Sequence, residues 1–206
     1  MESFTTLTGL VAPLDRLNVN TDEITPARFI KTIRSTGFEK ALFANWRYRD
    51  PNGQTPDPDF VLNQPRYRGV TILLTEDNFG CGSSREMAPW AILNYGFRCL
   101  IAPSFADIFY NNCFNNSILP ITFDKTTIRE LFSEVEATED YTLHVDLASQ
   151  TVVNSAGRVM HFEIDLFRKN ALLQGLDNIG WTLNHGDEIA AYEEKRKQEA
   201  PWLFTS

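Results

Sequence analysis

The run Gly69-Val70-Thr71-Ile72-Leu73-Leu74-Thr75, the turn Asp77-Asn78-Phe79-Gly80-Cys81-Gly82-Ser83-Ser84-Arg85-Glu86 and the segment Pro89-Trp90-Ala91-Ile92-Leu93-Asn94-Tyr95-Gly96 follow one another almost without a break. The first is short, rich in β-branched residues and free of polar alternation, which predicts a strand buried on both faces. The last has helical spacing and stops at glycine, the residue that most easily takes the left-handed terminating conformation. The turn between them therefore sits at a strand's carboxyl end. Open α/β sheets bind ligands there, and a helix amino terminus offers its unpaired N–H groups.

Two glycines, two hydroxyls and a guanidinium packed into one turn suit an anion. Gly80 and Gly82 permit positive φ and a close approach of backbone to ligand, with Cys81 between them as a small neutral lining residue. Ser83 and Glu86 have S-x-x-E spacing, which would make Ser83 a helix cap. Pro89, best tolerated in the first helical turn, moves the predicted start to Ser84 or Arg85 and releases Ser83 from capping. Arg85 then stands at the helix mouth with a planar fork that fits a carboxylate or phosphate through two parallel bonds. There is no Gly-x-x-x-x-Gly-Lys-[Ser/Thr], and the third glycine of a dinucleotide fingerprint is missing. A well-capped turn without a ligand is the competing reading of the same residues.

Outward from this turn, residues 7–14 read as a strand entering a loop rich in asparagine and aspartate. Thr25-Pro26 reads as a cap with proline at the first helical position. Downstream, strand and helix signals alternate over residues 98–102, 104–111 and 119–123, and crossovers of that kind predict parallel strands. Residues 141–147, 151–153 and 158–164 alternate apolar and polar side chains about short turns, which predicts an antiparallel meander with one wet face. Asp165 caps a predicted short helix that closes at Gly175, and residues 187–198 form a charged, surface-type helix. Between residues 47 and 67, Asp50-Pro51-Asn52-Gly53 and Pro56-Asp57-Pro58 predict a long irregular connection, a candidate for an interface or a lid. The fold class is α/β.

The chain of 206 residues is 43% hydrophobic and 12% aromatic, the composition of a globular domain with a substantial core. No run of about 18 consecutive apolar residues occurs, so no membrane span is expected. Met1-Glu2-Ser3-Phe4-Thr5-Thr6 lacks the basic start and apolar stretch of a secretory signal, so a cytoplasmic location is expected. A formal net charge of -8 argues against a sequence-independent nucleic-acid binder, which needs a basic surface. Cys81, Cys99 and Cys113 are odd in number and lack C-x-x-C spacing, so neither a disulfide framework nor a four-thiolate metal or iron–sulfur site is expected. Cys99 reads as a buried strand residue, and Cys81 has no partner base to make it a nucleophile. His144 and His161 fall on meander strands and His185 on a turn, so no metal site is implied.

Asn78-Phe79-Gly80 with Gly82-Ser83-Ser84-Arg85-Glu86 resembles the signature of the swivel domain in the aconitase superfamily. Further segments in matching order extend the resemblance nearly end to end, toward the small-subunit family of bacterial isopropylmalate dehydratases. They are residues 9–15, Asn18-Val19-Asn20-Thr21-Asp22, residues 58–63, Ala88-Pro89-Trp90-Ala91, residues 101–109 and Asn178-Ile179-Gly180. The resemblance implies a three-layer β/β/α swivel domain over residues 1–206, with a mainly parallel central sheet and a smaller antiparallel sheet. It implies a hydro-lyase subunit of leucine biosynthesis that is active only with a large subunit and takes a small dicarboxylate substrate. The 4Fe-4S cluster is expected on that large subunit, and no cofactor or metal on this chain.

By the same resemblance, Ser83 matches the serine that acts as base, Arg85 the arginine that grips a substrate carboxylate, and Ser84 a hydrogen-bonding neighbour, with Gly80, Cys81 and Gly82 as loop backbone. Residues 31–37 resemble the variable loop that reads the substrate's side group. Arg34 there is a candidate second carboxylate contact, or a solvated loop charge, and Ile33 a contact for an isopropyl group. Asp22 reads as an anchor for the glycine-rich loop or an arginine, or as a helix cap. Where the family generally has histidine, this chain has Met87. That exchange either deletes a titratable group beside the site or fills a packing position with a flexible thioether. Two other functions stay open: a related small subunit acting on homoaconitate or methyl-substituted malates, which residues 31–37 decide, and a non-catalytic anion-binding module.

Overall fold

Strand β1 (Thr6–Leu14) is the seam of the architecture, because its two halves pair with different partners. The computed structural model describes residues 1–29 and 37–204. The second half of β1 runs parallel to β2 (Ile72–Thr75), with Val11 opposite Ile72 and Leu14 opposite Thr75. Strands β3 (Cys99–Ala102) and β4 (Leu119–Thr122) continue outward, both parallel. The first half of β1 pairs antiparallel with β5 (Thr142–Asp146), and β6 (Thr151–Asn154) and β7 (Val159–His161) follow as a meander. The order is β4-β3-β2-β1-β5-β6-β7, so the expected parallel and antiparallel sheets are both present and share one strand.

Every residue of β2 and β3 is buried, as their unbroken apolar runs require. On β5, Leu143 and Val145 are buried while His144 between them is exposed, the alternation of a sheet with one wet face. Gly9 has a steric role inside β1: a Cβ there would stand 1.8 Å from Thr71 Oγ1.

Helices α1 (Thr21–Ile24) and α2 (Ala44–Arg47) precede β2. Then α3 (Met87–Tyr95), α4 (Asp107–Phe114) and α5 (Lys125–Ala137) each follow one of the parallel strands β2, β3 and β4, and α6 (Leu166–Gln174), α7 (Asn178–Leu183) and α8 (Gly186–Glu199) come after β7. The end signals hold where glycine was read as a stop: Gly96 ends α3 at φ 121 and Gly175 ends α6 at φ 68. Helix α8 buries no residue, as its charge pattern predicts.

Three expectations are corrected. The helix start read at Thr25-Pro26 lies earlier, because Asn20 and Glu23 close a reciprocal capping box around α1, with bonds of 2.9 and 2.8 Å. Among the described residues, a 3-10 turn, Ala27–Phe29, follows Pro26. Helix α4 begins at Asp107 instead of Ser104, because the backbone of residues 104–106 is engaged elsewhere: Phe79 N donates to Ser104 O at 3.2 Å and Ala106 N to Phe79 O at 3.0 Å. Residues 124–140, assigned no element from sequence, hold α5. Asp124 caps it by accepting from Thr126 N and Thr127 N, and Ile128, Leu131, Phe132 and Val135 are buried at helical spacing. Those four stand at i, i+3, i+4 and i+7 behind an aspartate cap, so the signal is present in the residues.

The connection over residues 47–67 is irregular, as its turn residues predict, yet pinned. Asn63 Nδ2 donates to Arg47 O at 2.6 Å and to Asp57 O at 2.8 Å. Among the described residues, no helix is long and apolar enough to cross a membrane.

Candidate active site

Parallel pairing delivers the carboxyl ends of β1, β2 and β3 to one edge of the sheet, where their loops are stitched together. Asn18 N donates to Asp77 O at 2.9 Å, Gly80 N to Val19 O at 2.7 Å, and Thr21 N to Cys81 O at 2.9 Å. Phe79 is wholly buried under the turn and meets the rings of Phe43, Phe105 and Phe109. Gly80 has φ +79, and a Cβ on it would lie 2.1 Å from Phe109 Cγ. Its backbone therefore packs tightly on a core ring while also forming part of the cleft wall. Gly82, at φ +89, is exposed and lines the cleft over this turn.

Helix α3 starts at Met87 with Glu86 as a cap residue that makes no side-chain bond, so the Ser83–Glu86 box does not form. The start thus lies later than the expected Ser84 or Arg85; Pro89 still falls in the first turn, and Ser83 does not cap the helix. Ser83 and Ser84 are exposed. The Ser83 hydroxyl has no hydrogen-bond partner among the described residues. Its carbonyl accepts from the buried Thr21 hydroxyl at 2.7 Å.

The cleft measures about 240 Å³, and Thr21, Gly80, Gly82, Ser83, Ser84 and Arg85 share its wall with Ile108 and Asn112 of α4. Five of the residues singled out from the sequence are thus brought together. Cys81 is turned aside, its thiol donating to Asn18 O at 3.3 Å. Ile108 and Asn112 escaped the sequence reading; their i, i+4 spacing on the helix after β3 is the signal that could have found them. A larger cleft of about 610 Å³ lies between α4 and α6, and its arginine, Arg168, is already bonded to Asn111 at 2.6 Å.

Arg85 is only 17% exposed and meets Asp22 in a two-pronged pair, Nη1 to Oδ1 at 2.5 Å and Nη2 to Oδ2 at 2.8 Å. Of the roles open to Asp22, holding an arginine is the one it takes. Met87 is half-buried and packs against the core, the filling role open to a thioether. Ile33 and Arg34 lie outside the described residues.

Behind the turn, the Asp77 carboxylate is bonded by Lys125 Nζ at 2.5 Å and by Ser104 Oγ at 2.5 Å. These bonds, Lys125 first, hold its carboxyl below the ordinary 3.8. Cluster ligation needs thiolates. Cys99 and Cys113 are sealed in β3 and α4, where burial pushes their thiols up, and Cys81 stands alone, so this chain's cysteines do not fit an iron–sulfur cluster. Among the described residues, no group of three or more His, Cys, Asp or Glu side chains could hold a metal ion.

The aconitase C-terminal domain family matches residues 1–126 and the LeuD_N family residues 129–165. The family of the C-terminal domain of the 3-isopropylmalate dehydratase small subunit matches residues 178–206. The 3-isopropylmalate dehydratase small subunit of Neisseria gonorrhoeae is 56% identical over 211 residues, covering 99% of each chain. That of Neisseria meningitidis serogroup B is also 56% identical, with the same coverage. The crystal structure of a 3-isopropylmalate dehydratase from Methanocaldococcus jannaschii has a TM-score of 0.62 at 23% identity, covering 91% of this chain and 99% of that one, a likeness of fold. With more than half its residues identical along nearly its whole length, this chain belongs to the 3-isopropylmalate dehydratase small-subunit family of the aconitase superfamily.

Proposed function

We propose that this chain supplies the proton-transfer and carboxylate-binding half of a cytoplasmic hydro-lyase that interconverts 2-isopropylmalate and 3-isopropylmalate through 2-isopropylmaleate in leucine biosynthesis. The observation that carries the reading is the shared wall of the cleft: an exposed Ser83 hydroxyl and a fixed Arg85 guanidinium at the carboxyl ends of parallel strands. The relatives' name, small subunit, supports a large-subunit partner. The 4Fe-4S cluster belongs to that partner, since this chain's cysteines do not suit it.

Ser83 Oγ takes the proton from the carbon next to the one bearing hydroxyl. The C–H electron pair becomes the new C=C bond as the hydroxyl departs on the partner's side. Rehydration with the opposite regiochemistry puts hydroxyl on the carbon that lost its proton, and Ser83 gives the proton to the carbon that first bore hydroxyl. A serine alkoxide is a costly base in water. Positive potential from the amino end of α3 lowers that cost without reorganisation during the reaction. Arg85 holds a substrate carboxylate and so orients the carbon whose proton is lost.

The test is reconstitution. The full chain mixed with a cluster-bearing large subunit turns over 2-isopropylmalate, followed by the absorbance of the unsaturated intermediate. A properly assembled pair with no turnover of this acid defeats the reading. Preference for homoaconitate in the same assay assigns the chain to the related hydro-lyase.

A further inference from the structure

Resting on that reading, the geometry points to Thr21 and Asp22, in the loop after β1, as the residues that position the site's two working groups. Arg85 Nη1 donates to Asp22 Oδ1 at 2.5 Å and to Thr25 O at 3.3 Å, while Nη2 donates to Asp22 Oδ2 at 2.8 Å. This occupies the end of the fork. The other parallel edge, Nε with the second Nη2 proton, meets no acceptor among the described residues, and Nε is not among the buried atoms left without a partner. A guanidinium is planar and rigid, so gripping one edge fixes the direction of the other. Arg85 lines the cleft, and a carboxylate can therefore bind it side-on while Asp22 stays in place.

Thr21 does the same for the base by another route. Its backbone N–H donates to Cys81 O at 2.9 Å and its buried hydroxyl donates to Ser83 O at 2.7 Å, which clamps the backbone from which Ser83 Oγ projects. The capping box of Asn20 and Glu23 makes the clamping segment itself rigid. Both are positioning residues, since neither is required to touch the reacting atoms.

The experiment measures KM and kcat for 2-isopropylmalate with variants of the full chain assembled on the large subunit. Asp22→Asn should raise KM about tenfold with kcat held within about threefold, because the fork loses its aim. Thr21→Val should lower kcat about tenfold at nearly constant KM, and Thr21→Ser, which restores the hydroxyl, should recover most of it. Thr21→Ala deletes the hydroxyl without added bulk and replaces the valine variant if that one fails to assemble. An unchanged or lowered KM for Asp22→Asn overturns positioning of Arg85, and a lowered one makes Asp22 a competitor of the substrate. Wild-type kcat in Thr21→Val or Thr21→Ala, or no recovery in Thr21→Ser, overturns positioning of Ser83. Ser83→Ala and Arg85→Lys in the same series keep the two ideas apart. Full turnover in those two defeats the functional reading, whereas their loss beside unaffected Asp22 and Thr21 variants defeats positioning alone.

Discussion

In the parallel half of the sheet, β2 and β3 are buried on both faces, and the chain leaves β1, β2 and β3 at the same edge. In the antiparallel half, burial alternates along β5 and β6, and successive strands turn back at opposite ends. Parallel strands need long return connections, so their carboxyl-end loops gather on one side. Hairpins need only short turns and gather nothing. The residues that line the cleft come from loops and helices of the first half, and the second half supplies an edge for β1 and a wet face. Location of the site is therefore a consequence of strand direction.

The sharpest break between the halves is in turnover. Ser83→Ala should reduce the rate of the reconstituted enzyme about a thousandfold, about 4 kcal/mol of activation free energy, with unchanged assembly on the large subunit. His144→Ala, on the wet face of β5 where its ring is bonded to Thr8 Oγ1 at 2.7 Å, should leave the rate alone. Equal rates for the two variants would erase the contrast.

A second comparison pits two glycines of similar conformation. Gly80→Ala must accommodate a Cβ 2.1 Å from Phe109 Cγ at φ +79. It should cost about 3 kcal/mol through overpacking and strain. Gly157, at φ +82 in the turn between β6 and β7, has nothing within 4 Å of a built Cβ. Its alanine variant should lose about 1 kcal/mol, from strain alone. Urea unfolding of both measures the difference.

Arg85→Lys comes next. It keeps the charge and loses the fork, so KM should rise about tenfold, about 1.4 kcal/mol, while the thermal midpoint moves little. An unchanged KM would remove Arg85 from the substrate's path.

The smallest effect is in acid. Bonding from Lys125 and Ser104 depresses the folded-state pKa of Asp77, so its contribution is complete above about 3.8 and is lost as pH falls toward the folded value. The midpoint difference between wild type and Asp77→Asn should therefore be largest near neutrality and shrink below pH 3.8. A difference that grows on acidification would have the wrong sign.

Much of this was legible in the residues. The strands, the glycine stops of α3 and α6, the exposed α8 and the release of Ser83 by Pro89 follow from spacing and turn chemistry. What escaped had a sparse or misleading local signal. Helix α5 is the exception, because Ile128, Leu131, Phe132 and Val135 at i, i+3, i+4 and i+7 behind the Asp124 cap mark it plainly. The cap at Asn20 was overshadowed by the Thr25-Pro26 pair, and the packing of Gly80 on Phe109 joins residues far apart along the chain.

By itself the sequence determined element types, the strand–turn–helix that carries Ser83 and Arg85, and the family to which these residues belong. Those properties reside in neighbours a few positions apart, where side-chain period and backbone freedom act directly. The tertiary structure alone decided that β1 joins two sheets, that Asp22 grips Arg85 from 63 positions away and that Thr21 holds the peptide of Ser83. Such pairings come from packing buried strands edge to edge, and a contact closed through space leaves no period along the chain.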